Sequence, residues 1–262
     1  MAFRSRLKLT VLVYVGQPAW WFRLLLSTRN PGQPGPPGME TSLHRQLKER
    51  YASGNARIEV PLGDYRIDVV TDDELIEIQH GSLSAIRDKI RHLVEEHTVR
   101  VVKPIIASKQ LIKLDRPQGE LVSRRKSPKR GRLLDIFDEL VHFTQVFPHP
   151  KLTVEVVLVE VEERRYPGHG RRRRWSTTDF EVEDRILIGV DRNLLLSAAD
   201  DLWQLLPIHL PTPFHTGHLA KQLKIQRWLA QRIAYCLRQA GAIREVGKSG
   251  NTRLYDRASD AA

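Results

Sequence analysis

Two short apolar stretches and the segment between them restrict the fold more than anything else in the chain. "ELIEIQ", Glu74 to Gln79, reads as a strand. "GSLSAIRDKIRHLVEEH" repeats apolar residues at helical spacing through Leu83, Ile86, Ile90, Leu93 and Val94. "TVRVVKPII" is then a nearly continuous apolar run, the pattern of a strand buried on both faces. Strand, amphipathic helix and buried strand make a parallel pair with a right-handed crossover, so the region is α/β.

The elements before this unit extend it. "ETSLHRQLKERYA" places Leu43, Leu47 and Tyr51 on one face of a helix of about three turns, with Thr41 or Ser42 at its cap. "ARIEVPLGDYRIDVV" supplies strands, and "TDD" turns the chain into "ELIEIQ". A two-residue loop at Asp72 and Asp73 pairs Thr71 with Glu74, Val70 with Leu75, Val69 with Ile76, and Asp68 with Glu77. On that register Asp68 and Glu77 face each other with Cβ atoms about 4.5–5.5 Å apart. Gln79 shares their face, while Ile76 and Ile78 point to the other. Two adjacent carboxylates repel unless a cation or a proton compensates. Mg2+ or Mn2+ suits the pair, because hard ions take carboxylate and water ligands and activate water against a phosphodiester. On spacing alone, an ordinary solvent-facing strand edge whose acids happen to alternate is the simpler alternative.

The 262-residue chain has 42 Lys and Arg against 31 Asp and Glu, a net charge of +11, with a pI near 10.0. That balance points to a polyanionic partner, nucleic acid before an anionic membrane. Its single cysteine, Cys236, sits in an apolar helical pattern and has no internal partner, which suits a reducing cytoplasm. Residues 1–38 read as an unstructured or non-native extension: a broken apolar run followed by "NPGQPGPPG", with a functional start expected at Met39. The apolar run is too short to span a bilayer, so no stable membrane association is expected, although a tether through this segment is an alternative.

Further on, "SRRKSPKRGR", Ser123 to Arg132, has six basic residues and no acid, and Pro128 favours a loop. Its Arg124, Arg125, Lys126, Lys129 and Arg130 are candidate phosphate contacts. A helix is expected at "LLDIFDELVHFTQVF", then a long strand at "KLTVEVVLVEVEERRY" and a returning strand through "WSTTDFEVEDRILIG". The turn between these strands carries Arg172 and Arg173, beside Trp175, as further candidates. The remainder reads helix, helix, longer helix and β-hairpin with a Gly-rich tip, the outline of a winged helix-turn-helix over 197–258. In such a module Lys224, Arg227 and Arg232 lie near the groove, with Lys248 and Arg253 on the wing.

The order helix, Asp-bearing strand, Glu-X-Gln strand, crossover helix and strand resembles the PD-(D/E)XK nuclease superfamily. The positions that carry the resemblance are Glu40, Asp68 and Glu77-Ile78-Gln79, within a core of about Met39 to Asp115. The chain also resembles uncharacterised bacterial proteins that join such a core to a winged helix. The resemblance implies metal ligation by Asp68 and Glu77, assistance from Glu40, and a water-positioning group at Gln79 where the superfamily carries Lys. Lys89, Lys103 and Lys109 are candidates to supply the missing charge, and His44 and His80 lie near the site in sequence. The expectation is therefore a cytoplasmic α/β protein: a PD-(D/E)XK-like mixed sheet flanked by helices over 39–120, a basic α+β connector over 121–196, and the winged helix. As an enzyme it is expected to be a Mg2+- or Mn2+-dependent endonuclease on duplex or branched DNA, and a homodimer is compatible with it. The alternative is a catalytically inactive DNA-binding or regulatory protein on the same fold.

Overall fold

The computed structural model describes residues 41–168, 179–206 and 208–258. Its frame is a mixed seven-stranded sheet flanked by helices. In chain order the elements are α1 (Ser42–Tyr51), β1 (Arg57–Leu62), β2 (Tyr65–Val70), β3 (Leu75–Ile78), α2 (Arg87–Glu96), β4 (Val99–Leu114), β5 (Leu121–Lys126), the single turn α3 (Phe137–Leu140), β6 (Leu152–Pro167), β7 (Phe180–Leu196), α4 (Thr216–Leu223), α5 (Arg227–Ala240), β8 (Ile243–Ser249) and β9 (Thr252–Arg257). Strand order is β1-β2-β3-β4-β6-β7, with β5 paired to the far half of β4. β3 runs parallel to β4 and β4 to β6, and the remaining pairs are antiparallel.

The apolar pattern assigns each helix to a face. Leu43 and Leu47 of α1 pack with Val69, Ile76, Ile78, Val102, Val157, Val159 and Val161. β7 holds this helix in place: Ser42 N–H donates to Asp184 Oδ1 (2.9 Å), and Leu187 N–H donates to Gln46 Oε1 (2.8 Å). The opposite face buries Ile90, Leu93 and Val94 of α2 in a larger cluster with Leu75, Val99, Val101, Phe137 and Phe143. That cluster is continuous with Leu219 of α4 and Ile233 and Leu237 of α5. The C-terminal helices therefore share the core of the sheet. Cys236 is buried there, its thiol pushed up by burial to about 12.

β4 accommodates Pro104 because its neighbour changes along its length. Gln79 N–H donates to Val102 O, so the same edge of Pro104 faces the side where β3 has just ended. The missing proline N–H removes no ladder bond there. β5 takes over this edge only from Gln110.

Three expectations are revised. Residues 121–196, read from sequence as a connector, supply β5, β6 and β7 to the same sheet as residues 57–114. Leu121–Lys126 form an exposed edge strand, and only the residues after it make the expected loop; a Lys- and Arg-rich edge strand resists pairing with other chains, so the charge that suggested a loop also suits an edge. The helix expected over 133–147 is a 3₁₀ turn, Leu133–Ile136, followed by the single turn of α3. Beyond it Phe143 and Val146 bond three residues back as the chain wraps Phe143 into the core. Among the described residues no helix is long and apolar enough to cross a membrane.

Candidate active site

The β2–β3 hairpin has the register its two-residue turn requires: Val70 opposite Leu75 and Val69 opposite Ile76. Regular pairing stops there. Ile67 joins the core cluster on the α2 face while Val69, two residues on, joins the cluster on the α1 face. Side-chain alternation is therefore broken at Asp68. Across from it on β1, Glu59 has φ of 56°, the left-handed region in which a non-glycine residue is strained. The strain is held by two ion pairs from Glu59, to buried Lys48 of α1 (2.5 Å) and to Arg66 (2.7 Å).

The kink aims the carboxylates. Asp68 Oδ2 accepts the Ile78 N–H at 2.8 Å and lies 3.2 Å from His44 Nε2 on α1. The Glu77 carboxylate in turn accepts the Asp68 N–H. Each acid thus takes a backbone donor from the other's strand, where a simple ladder would have set them side by side. Glu77 is 5 % exposed and meets Lys89 Nζ of α2 at 2.5 Å; the same ammonium donates to Arg66 O at 2.6 Å.

Their acidities diverge. Burial pushes Glu77 up to about 6 against the pull of Lys89. Burial also pushes Asp68 up, but the hydrogen bonds from His44 and the Ile78 N–H outweigh it and hold the group below its usual value. At neutral pH both are ionised. His80 lies edge-on to His44 at 6.0 Å between ring centres. Burial, with positive charge from His44, Arg185 and Lys103, drives its pKa down to about 4, so its ring is neutral at pH 7. Its buried Nε2 has no hydrogen-bond partner among the described residues.

Of the three lysines considered as substitutes, one reaches the pair. Lys89 does so from the crossover helix. Lys103 is 4 % exposed and committed to the His80 and Gly81 carbonyls and to Glu139 (3.3 Å), while Lys109 is bound to Glu163 at 2.6 Å. Gln79 donates through Nε2 to Ser82 O at 2.8 Å, which leaves its carbonyl oxygen as an acceptor. Glu40 lies outside the described residues, as do Arg172 and Arg173. Among the described residues no three His, Cys, Asp or Glu side chains converge as a ready-made metal cage. Lys48 and Glu59 were missed in the sequence; the available signal was a lysine directly after Leu47 on the apolar side of α1.

The basic candidates scatter. On β5, Arg125 lies opposite Leu111 and Arg124 opposite Ile112, so they project to different faces. Arg124 is spent on Gln110 and Glu162. Lys126 ends that exposed strand, and Lys129 and Arg130 follow in the loop. Lys224 sits in the α4–α5 turn with φ of 52° and is exposed beside Arg227. Arg232 is bound to Asp138 and lies over the Trp228 ring. Lys248 and Arg253 face each other across the β8–β9 hairpin, with Arg253 3.4 Å from Glu245.

A family model described as "Domain of unknown function (DUF8091)" matches residues 41–197, more than half of the 262-residue chain. The chain belongs to the DUF8091 family. The match begins at the residue before α1 and ends just after β7, so the DUF8091 unit contains the whole seven-stranded sheet and the carboxylate pair. Similarity extends beyond that unit: an "Uncharacterized protein" of Treponema pallidum (strain Nichols) is 29 % identical over 220 residues, which cover 82 % of this chain and 84 % of that protein. No solved structure matches the chain.

Proposed function

We propose that this DUF8091 protein is a divalent-metal-dependent endonuclease acting on DNA, built on a PD-(D/E)XK-like sheet. The observation that carries the reading is the Asp68–Glu77 pair: two carboxylates on neighbouring strands at a broken ladder, one held acidic, with an ammonium 2.5 Å from the other. The donors fit Mg2+ or Mn2+, since Mg2+ is ordinarily held by one or two carboxylates together with waters and substrate phosphate, and needs no full protein cage. Asp68 and Glu77 would hold the ion, which supplies a lowered water pKa and charge neutralisation at the phosphate. The chain's own groups do the rest. His44 orients Asp68 through its 3.2 Å contact. The Gln79 carbonyl oxygen would accept a hydrogen bond from the attacking water and so orient it, and Lys89 would contribute the positive charge that Gln79 lacks.

The C-terminal elements support a winged-helix reading in which DNA is held by α5 and the β8–β9 hairpin. Phe214 pairs with Tyr255 through two 2.8 Å backbone bonds, adding a short third strand to the hairpin ahead of α4. Arg227, Trp228, Gln231 and Tyr235 leave one face of α5 open, with Trp228 53 % exposed. A solvent-facing Trp beside arginines is suited to a nucleic-acid surface.

A second reading, a non-catalytic DNA-binding or regulatory protein, is favoured by the Glu77–Lys89 contact, which already neutralises the acid without a metal. One experiment separates the two. Supercoiled plasmid is incubated with purified protein and Mg2+ or Mn2+, beside an Asp68→Ala/Glu77→Ala variant. Nicking by the parent alone is expected, and equal nicking by both discards the nuclease reading.

A further inference from the structure

The long strands β4, β6 and β7 run well past the carboxylates, and with β5 they form an arm whose α1-side face carries a line of cations. Lys109, Leu111 and Lys113 of β4 lie opposite Val161, Glu163 and Arg165 of β6, and Val161 belongs to the α1-side core, which fixes the face. Glu163, 2 % exposed, is shared by Lys109 (2.6 Å), Arg185 (2.9 Å) and Arg165 (2.9 Å), three cations on one carboxylate. Arg185 also adds its charge at His80, which links the line back to His44 and Asp68.

At its outer end the line opens into a groove of about 290 Å³ whose walls include Lys113, Arg125, Arg165, Tyr166 and Phe180, with Asp179 as the one acid. Arg165 covers the Phe180 ring at 4.2 Å, and its buried Nε has no acceptor among the described residues. Lys113 and Arg125 have no acidic partner within ion-pair distance among them either. Lys113 and Arg125, with Arg165 already shared with Glu163, face one acid among the described residues, and beside aromatic rings they suit a phosphate with a sugar or base attached. The groove is at the small end for a ligand pocket, so it fits one nucleotide of a longer chain better than a free cofactor.

We propose that this groove is a phosphate-binding exosite for one strand of the DNA substrate, separate from the carboxylates. The inference rests on the nucleic-acid reading above. Lys113 is twelve residues along β4 from Val101, the partner of Glu77. At about 3.3 Å per residue the separation is roughly 40 Å, or about twelve base pairs of B-form duplex. The DNA must reach that far from the scissile phosphate to touch both sites.

The test uses the full chain carrying Asp68→Ala/Glu77→Ala, with and without Lys113→Ala/Arg125→Ala, and fluorescence anisotropy on duplexes of about 8 and about 24 base pairs. The longer duplex should bind at least tenfold more tightly per molecule to the parent. The arm variant should lose most of that advantage, with the slope of log K against log salt falling by about two, while its melting temperature stays that of the parent. Equal affinity of parent and arm variant for the long duplex overturns the exosite. The two readings fail separately: cleavage without an arm effect on binding sinks only the exosite, and an arm effect without plasmid cleavage sinks only the nuclease.

Discussion

Lys89→Ala perturbs the carboxylate pair at its ammonium contact. Glu77 is nearly fully buried, and Lys89 Nζ lies 2.5 Å from its Oε1, so the variant leaves an ionised carboxylate with no countercharge in contact among the described residues. Removing one partner of a buried pair costs on the order of 3–5 kcal/mol, but here the cost has a ceiling. Glu77 already titrates at about 6, so taking up a proton at pH 7.5 requires only about 1.5 × 1.36, or ~2 kcal/mol, and the variant escapes by that route. The electrostatic loss is therefore at most about 2 kcal/mol at pH 7.5, a fall in melting temperature of about 4–8 °C for a chain of this size. At pH 5 Glu77 is mostly protonated in the parent too, and the difference shrinks to the lost packing of the lysine stem, under about 1 kcal/mol. Urea unfolding followed by circular dichroism at both pH values measures this, with Lys89→Ala/Glu77→Gln as the closing corner of the cycle. The double variant should recover most of the loss at pH 7.5. A penalty that is the same at both pH values, or undiminished in the double variant, would refute the argument that an unpaired buried charge is its source.

Acidification acts through His80 with the opposite sign to Glu77. The His80 pKa is lowered to about 4 in the fold, so its stabilising effect is full above its ordinary value near 6.5 and is lost as pH falls. From pH 7 to pH 5 that loss is about 2 kcal/mol, opposed by about 1 kcal/mol from Glu77, whose raised pKa favours the fold as it protonates. Unfolding curves of His80→Asn should accordingly lose less stability over this interval than the parent. Cys236, buried and with its thiol pushed up to about 12, should resist alkylation in the native protein and react in parallel with unfolding under urea. Trp228→Ala should weaken duplex binding by about 1–2 kcal/mol through lost contact area, with melting temperature nearly unchanged because the ring is half exposed; titration by anisotropy checks both halves.

The hairpin was legible because two rules agree on it. A period of two puts Val70 and Leu75 on one face and Val69 and Ile76 on the other, and the Asp72–Asp73 turn admits only that register. The departure at Asp68 was not legible, because it depends on Glu59, across from it on the neighbouring strand, adopting a left-handed conformation, and no local propensity asks for that. Likewise "SRRK" reads as a loop on composition, and only the exposed far half of β4 makes it a strand. Long-range pairing also decides which basic residues remain available: Arg124 and Arg125 are neighbours in sequence, yet one is bound to Glu162 and the other opens into the arm groove.

Gln79, too, is committed by a neighbour that its own sequence position does not announce. Its amide is held by Ser82 O, so the side chain closes the turn after β3, where a Cβ at Gly81 would come within 3.3 Å of Nε2. A lysine there would break that bond and bring a second ammonium toward the one already on Glu77. If positive charge beside the carboxylates is what the chemistry needs, its origin on strand or helix is secondary. Lys89→Ala should then lower metal-dependent cleavage by about 10²–10³, the usual worth of one electrostatic donor to a developing oxyanion. Gln79→Lys in the Lys89→Ala background should restore part of the rate, whereas Gln79→Lys alone should not exceed the parent. Single-turnover cleavage of one labelled duplex, at saturating protein, compares the four proteins without interference from binding. Unimpaired cleavage by Lys89→Ala, or a double variant no faster than Lys89→Ala, would show that the helix lysine serves the fold and not the phosphate.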